Sequence, residues 1–213
     1  LGLIVRQIVT QDTPVVTSLG AYPTFNYHVA GFGGRLVTVP YRDDREDLDA
    51  LLAAVKREGA PLVYLANPDN PMGTWNTSAD IVSFAQALPE QTLLVLDEAY
   101  GEMAPDGIIP ASNALLDNSN ILRMRTFSKA YGLAGLRCGY AFGRTGTIAS
   151  FDKVRNHFGV NKMAQIAALA ALQDQDYLRA VCDRIKASRQ RIEEIALNNN
   201  LQPLQSATNF VTL

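Results

Sequence analysis

Residues 125–140 read Arg125-Thr126-Phe127-Ser128-Lys129-Ala130-Tyr131-Gly132-Leu133-Ala134-Gly135-Leu136-Arg137-Cys138-Gly139-Tyr140. Hydroxyl side chains precede a lysine, three glycines follow it, and Arg137 lies eight residues after the lysine. Hydroxyls, backbone N–H groups and an arginine fork are typical phosphate ligands. A lysine among them can form a Schiff base with a carbonyl compound. A plain surface loop is a poor alternative, because the second half of the stretch is largely apolar.

Short apolar runs alternate with helical patterns before this stretch. Between the runs, periodic apolar residues predict one helix that ends at Gly59 and another that begins with a capping box of Thr77 and Asp80. This alternation predicts βαβ units and a mostly parallel α/β sheet. Strands are expected at residues 15–18, 36–39, 61–65, 93–96 and 121–124. After residue 147 we expect helices at 161–172 and 177–197 and a strand at 209–213.

Two other expected strands also run into polar sequence, and ligands in open α/β sheets bind beyond the carboxyl ends of the strands. Asn67-Pro68-Asp69-Asn70-Pro71-Met72-Gly73 predicts a rigid loop, or simply a turn. Asp97-Glu98-Ala99-Tyr100 follows an apolar run. A carboxylate at the end of a buried strand needs a cationic partner, and a protonated pyridine nitrogen would serve. The alternative is that Asp97 caps a helix.

Composition excludes several classes of function. The chain has 213 residues, 47% of them hydrophobic, and a formal net charge of −2. No basic stripe suggests a nucleic-acid partner, and no apolar run is long enough to cross a membrane. Two cysteines and two histidines predict no metal site. A cytoplasmic setting is therefore our expectation.

The three polar motifs, in this order, resemble those of fold-type I pyridoxal 5'-phosphate (PLP) enzymes of the class I/II aminotransferase group. The resemblance covers nearly the whole chain and is greatest to histidinol-phosphate aminotransferases. It implies the three-layer α/β sandwich of PLP-dependent transferases. Residues 1–172 would form the PLP-binding large domain, incomplete at its N-terminus. Residues 173–213 would form a linking helix and the beginning of a smaller C-terminal α+β domain, so that the sequence is a fragment.

The resemblance implies roles for individual residues around the cofactor ring. Lys129 matches the lysine that holds PLP as a Schiff base, and Asp97 matches the aspartate that pairs with the pyridine nitrogen. Tyr100 and Asn70 match the two groups that hydrogen-bond the ring hydroxyl oxygen. Tyr22 matches the aromatic residue that stacks on the ring, and a core tyrosine is the alternative for that position.

The resemblance also implies how phosphate and substrates are bound. Thr126, Ser128 and Arg137 match the phosphate-contacting positions. The reaction implied is ping-pong transfer of an amino group from an amino donor to a 2-oxo acid, with Lys129 moving the proton, in a homodimer. A glycine-bearing turn that also contacts phosphate, and the arginine that binds the substrate carboxylate, are expected outside residues 1–213. We therefore expect no turnover from these residues alone.

Other reactions and roles stay open at this point. The same motifs occur in PLP-dependent decarboxylases and carbon–sulfur lyases, and in PLP-binding sensor domains of some transcription regulators. The amino donor is open as well. Histidinol phosphate and aromatic or other amino acids are candidates, and His157 stands where histidinol-phosphate enzymes usually carry proline.

Overall fold

The computed structural model describes residues 1–115 and 120–213. Within those residues, one six-stranded sheet has the order β2-β1-β3-β4-β5-β6. All neighbouring strands pair in parallel except β6, which is antiparallel to β5. The prediction of a mostly parallel α/β sheet is therefore confirmed. The strands are β1 (Pro14–Ser18), β2 (Arg35–Val39), β3 (Leu62–Ala66), β4 (Leu93–Asp97), β5 (Ile121–Thr126) and β6 (Gly139–Gly143).

Helices cover both faces of the sheet, which confirms the three-layer architecture. Alternate strand residues point to opposite faces, so Val16 packs with Leu51 and Ile81 while Val15 packs with Val5 and Phe25. The first set belongs to a core under α3 and α4, and the second to a core under α1 and α2. The helices are α1 (Gly2–Ile8), α2 (Pro23–Gly31), α3 (Leu48–Glu58), α4 (Ser78–Ala87), α5 (Thr145–Ser150), α6 (Lys162–Gln173) and α7 (Gln175–Asn198).

Two predicted helix ends have the expected local chemistry. Gly59 follows α3 with a φ of 61°, a left-handed conformation that glycine adopts without strain. At the start of α4, the Asp80 backbone N–H donates to Thr77 Oγ1 at 3.2 Å, and the Thr77 N–H donates to Asp80 Oδ2 at 3.2 Å. Both halves of the capping box are thus present.

The expectation of a strand at Asn209–Leu213 is wrong, because these residues form no strand. Side-chain hydroxyls bind the local backbone instead. The Thr208 N–H donates to Ser206 Oγ at 3.1 Å, and the Phe210 N–H donates to Thr208 Oγ1 at 3.3 Å. Such bonds compete with pairing in a sheet. The sequence patterns also missed α2, β6 and α5.

The boundary proposed after residue 172 stays a prediction. Leu178 and Ile185 of α7 pack against Tyr100 and Met103, so this helix contacts the part of the chain that follows β4. Among the described residues, no helix is both long and apolar enough to cross a bilayer. The same residues contain no cluster of three or more His, Cys, Asp or Glu side chains that could hold a metal ion.

We predict that Thr77→Ala destabilises the protein by about 1 kcal/mol, because α4 loses its side-chain cap. Denaturant unfolding of the whole protein measures this loss. Ser83→Ala is the matched control, because Ser83 is exposed within the same helix and makes no cap. An equal loss of stability in both variants would contradict the assignment of Thr77 as the cap.

Candidate active site

A cleft of about 510 Å³ lies at the carboxyl edge of β3, β4 and β5. Parallel neighbours bring the ends of their strands to the same edge, so segments distant in sequence meet there. All eight residues singled out from the sequence line this cleft: Tyr22, Asn70, Asp97, Tyr100, Thr126, Ser128, Lys129 and Arg137.

Asp97 is the last residue of β4 and lies opposite Ala66 of β3 and Met124 of β5. Its Oδ2 accepts a hydrogen bond from Tyr64 Oη at 2.8 Å, and its Oδ1 accepts one from the Ala99 N–H at 3.1 Å. Burial raises the pKa of the Asp97 carboxyl, although these two bonds act in the opposite direction. The turn at Gly101–Met103 is capped by Tyr100, so Asp97 is not its N-cap.

Asn70 and Tyr100 form a hydrogen-bonded pair across the cleft. Asn70 Nδ2 donates to Tyr100 Oη at 3.2 Å. The loop that carries Asn70 is held by Asn67, whose Oδ1 accepts from the Asn76 N–H at 2.8 Å. Asp69 holds the same loop by a second bond, because its Oδ2 accepts from the Met72 N–H at 3.1 Å. The segment is therefore a turn, as the alternative interpretation had it, and this turn places Asn70 in the cleft.

Lys129 follows β5, and its Nζ lies 5.0 Å from the centroid of the Tyr100 ring. Just before it, the Ser128 N–H donates to Thr126 Oγ1 at 3.1 Å. The hydroxyl-bearing loop returns through β6, where a Cβ on Gly139 would lie only 2.7 Å from the Arg125 carbonyl oxygen. Glycine is thus required for the close pairing of β5 and β6 beside the lysine.

Arg137 and Tyr22 enter the cleft from other sides. Arg137 adopts the left-handed conformation at φ 52°, and its Nη1 donates to the Ala134 carbonyl oxygen at 2.5 Å. The side chain is exposed and lines the cleft. Tyr22 caps α2 and is 41% exposed, which rules out the core position considered for it.

Sequence reasoning missed Tyr64, which stacks on Phe25 at 4.5 Å between ring centroids while its hydroxyl binds Asp97. Tyr64 lies in an expected apolar strand and is 1% exposed, so its hydroxyl requires a partner. The available signal was a tyrosine in an expected buried strand, next to a strand that ends at Asp97.

Sequence reasoning also missed a buried ionic cluster behind Asp97. Glu98 is fully buried, and its Oε1 accepts from Arg123 Nη2 at 2.7 Å while its Oε2 accepts from Arg125 Nε at 2.8 Å. Arg125 Nη1 also donates to Glu102 Oε1 at 2.8 Å. A Cβ on Gly101 would lie 2.9 Å from Arg125 Nη1, so glycine allows the guanidinium to pack onto the turn after Tyr100. The signal was Arg123 within the expected strand at 121–124, with Arg125 directly after it.

A family model described as aminotransferase class I and II matches residues 1–213. The chain belongs to this family. A histidinol-phosphate aminotransferase of Bacillus velezensis is 33% identical over 213 residues, which are 99% of this chain and 59% of that protein. An aromatic amino acid aminotransferase of Mycobacterium avium is 41% identical over 182 residues, which are 85% of this chain and 51% of that protein.

A solved structure of histidinol-phosphate aminotransferase from Sinorhizobium meliloti, in complex with pyridoxal-5'-phosphate, matches this aminotransferase-family chain with a TM-score of 0.97. Sequence identity is 65%, and the match covers 99% of this chain and 57% of that one. The chain thus spans less than two thirds of the length of these relatives.

Two buried carboxyl groups, Glu46 and Asp69, lie next to the loop that carries Asn70. Glu46 Oε2 accepts from the Ala66 N–H at 3.0 Å, and Asp69 Oδ1 accepts from Tyr41 Oη at 3.3 Å. Burial, and next the charge of Asp69, raise the pKa of Glu46 well above its ordinary value. Burial also raises the pKa of Asp69 to about 6. The charge of Asp69 therefore disfavours the ionised form of Glu46.

We predict that folding stability falls as pH rises above the ordinary Glu46 pKa of 4.5, because the unfolded chain releases this proton more readily than the folded one. One such group contributes at most about 1.4 kcal/mol per pH unit. Glu46→Gln should flatten the fall, measured by denaturant unfolding of the apo protein between pH 5 and 8.

Glu58→Gln is the control for this measurement. The hydrogen bond from Arg35 lowers the pKa of Glu58. Replacing Glu58 should therefore not flatten the fall of stability with rising pH. A slope that is unchanged in Glu46→Gln would contradict the assignment of a raised pKa to that residue.

Proposed function

We propose that this chain supplies the PLP-binding part of an aminotransferase. The observation that carries the proposal is the convergence in one cleft of Lys129, the Asp97 carboxyl, the Asn70–Tyr100 pair and a set of phosphate-type donors. The Sinorhizobium meliloti relative, at 65% identity, is a histidinol-phosphate aminotransferase in complex with pyridoxal-5'-phosphate, which supports the same ligand here.

The donor set fits PLP group by group. The Thr126 and Ser128 hydroxyls and the exposed Arg137 guanidinium suit the phosphate, because charge-assisted bonds from arginine to phosphate are strong. Tyr22 stands at the rim of the cleft with its ring exposed, as an aromatic that covers a flat ring requires. Lys129 supplies a primary amine for the cofactor carbonyl.

The polar atoms deeper in the cleft fit the ring of PLP. Asp97 is a partly buried carboxyl whose ionised form would gain from a protonated ring nitrogen. Tyr100 Oη already accepts a bond from Asn70 Nδ2 and can donate its own proton to a ring oxygen. The cleft thus offers one complementary group to each polar position of the cofactor.

Bound PLP supplies a carbonyl that carries amino groups and a ring that withdraws electrons. Asp97 would hold a proton on the ring nitrogen, because the opposite charge would stabilise its carboxylate. The Nζ of Lys129 would take the proton from the α-carbon of the amino substrate and, as a general acid, deliver it to the cofactor carbon that carried the carbonyl. Tyr100 and Asn70 orient the ring oxygen through their shared hydrogen bond.

Amino-group transfer from histidinol phosphate to a 2-oxo acid is the reaction we place first, with an aromatic amino acid as the second amino donor. The 65% identical relative favours histidinol phosphate, and the Mycobacterium avium relative supports an aromatic donor. Decarboxylation, carbon–sulfur lysis and a sensor role have no comparable support among these relatives. A homodimer in the cytoplasm is part of the same proposal.

We predict that borohydride reduction of the PLP-loaded whole protein fixes the cofactor on Lys129, because this amine lines the cleft with the phosphate donors. Peptide mapping by mass spectrometry identifies the modified lysine. Lys129→Ala should lose the label and all transamination, whereas Lys153→Ala should keep both. Label on Lys153 or Lys162 in the native protein would refute the proposal.

We predict that Asp97→Asn lowers kcat for transamination by at least about 10²-fold, the range seen when a preorganised electrostatic group is removed. A neutral amide cannot stabilise a protonated ring nitrogen, while the fold should persist. Steady-state kinetics of the PLP-loaded whole protein measures the loss. Asp106→Asn, at an exposed position, is the control, and near-normal turnover of Asp97→Asn would show that its charge is not used.

A further inference from the structure

The Tyr100 ring is contacted from several directions by residues outside the segment that follows β4. The ring of Phe210 meets it edge-on, with centroids 5.6 Å apart and an interplanar angle of 88°. Lys129 Nζ lies 5.0 Å from the same ring, and Asn70 binds its hydroxyl. Tyr100 is only 4% exposed, so these contacts determine where its hydroxyl points into the cleft.

The segment that carries Phe210 also binds the loop that carries Asn70. Thr212 Oγ1 donates to the Pro71 carbonyl oxygen at 2.8 Å, and the Ala207 N–H donates to the Gly73 carbonyl oxygen at 2.9 Å. Gly73 has a φ of +78°, and a Cβ there would lie 2.8 Å from Ser206 Oγ. Close approach of segment and loop therefore depends on glycine at this position.

The segment 206–212, which we call the clamp segment, is held together by its own hydrogen bonds. Ser206 Oγ and Thr208 Oγ1 lie 2.9 Å apart in a hydrogen bond, and Ser206 Oγ donates to the Phe210 carbonyl oxygen at 2.5 Å. Arg189 of α7 reaches it through a 2.7 Å bond from Nη1 to the Thr208 carbonyl oxygen. Thr208 is fully buried. The clamp segment is thus anchored to α7.

We propose that the clamp segment positions both members of the Asn70–Tyr100 pair, and that Phe210 is the positioning residue for Tyr100. Asn70 follows β3 and Tyr100 follows β4, and each lies on irregular backbone beyond its strand. The clamp segment contacts both pieces, so it fixes the 3.2 Å bond between them. This inference rests on the proposed function only where the pair is said to face the ring oxygen of PLP.

The test uses Phe210→Leu in the whole protein, with two readouts. In the apo protein, hydrogen–deuterium exchange should quicken in the peptide that contains Tyr100, which loses its ring contact, and in the peptide that contains Asn70, whose hydrogen-bond partner is then less fixed. In the PLP-loaded protein, the apparent pKa of the pH-dependent cofactor absorbance should shift by up to about one unit, the scale of an aromatic pair contact. Phe210→Tyr keeps the edge-on ring contact, so both measurements should give the native values.

Phe32→Leu is the matched control, because Phe32 is exposed at the end of α2 and does not line the cleft. If Phe210→Leu does not fold, Thr212→Val removes only the bond to Pro71 and should give a smaller change in the same direction. Unchanged exchange and an unchanged absorbance titration in the folded variant would overturn the proposal.

Failure of the proposed function would look different. In that case the native protein itself would show no borohydride-fixed cofactor and no pH-dependent cofactor absorbance. The exchange measurement on the apo protein would still decide whether the clamp segment supports the pair. Faster exchange at both peptides would uphold its positioning role, and unchanged exchange would overturn it.

Discussion

The geometry of the cleft depends on a buried carboxylate that two arginines of the neighbouring strand hold in place. Removing Glu98 from water costs several kcal/mol unless the charge is paired and hydrogen-bonded. Arg123 and Arg125 supply that pairing only when β5 lies beside β4 in the observed register, with Arg123 opposite Leu96. Because loss of one partner in such a pair costs about 3–5 kcal/mol, a slipped register is strongly disfavoured. This register sets Asp97 and the Lys129 loop side by side.

Residues that are close in sequence could be predicted, because their chemistry is local. The capping box of Thr77, the left-handed Gly59 and the run of short apolar strands each depend on neighbours within a few positions. The same holds for the hydroxyls that precede Lys129. Convergence of these motifs followed from the parallel sheet, since strand order alone brings the carboxyl ends together. The fold class and the grouping of the eight residues in one cleft were therefore predictable from sequence patterns and the family resemblance, and their roles stay predictions.

The remaining features depend on contacts between distant residues. Tyr64 and Asp97 are 33 positions apart, and Glu98 and Arg123 are 25 apart, so no local pattern reports either pair. The strand expected at Asn209–Leu213 failed for a related reason. A β-branched run becomes a strand only where a free sheet edge receives it, and here the hydroxyls of Ser206 and Thr208 occupy the backbone instead.

The carboxyl groups around Asp97 affect one another's ionisation. Glu46, Asp69 and Asp97 lie near one another, and both burial and mutual repulsion raise the pKa of Glu46. A cation at Asp97 would relieve part of this repulsion, because opposite charge favours the ionised form of a carboxyl. By linkage, such a cation binds more tightly when Asp97 is ionised, and it eases ionisation of Glu46 in turn. A ligand with a protonated ring nitrogen therefore suits the electrostatics of the sheet edge as well as its geometry.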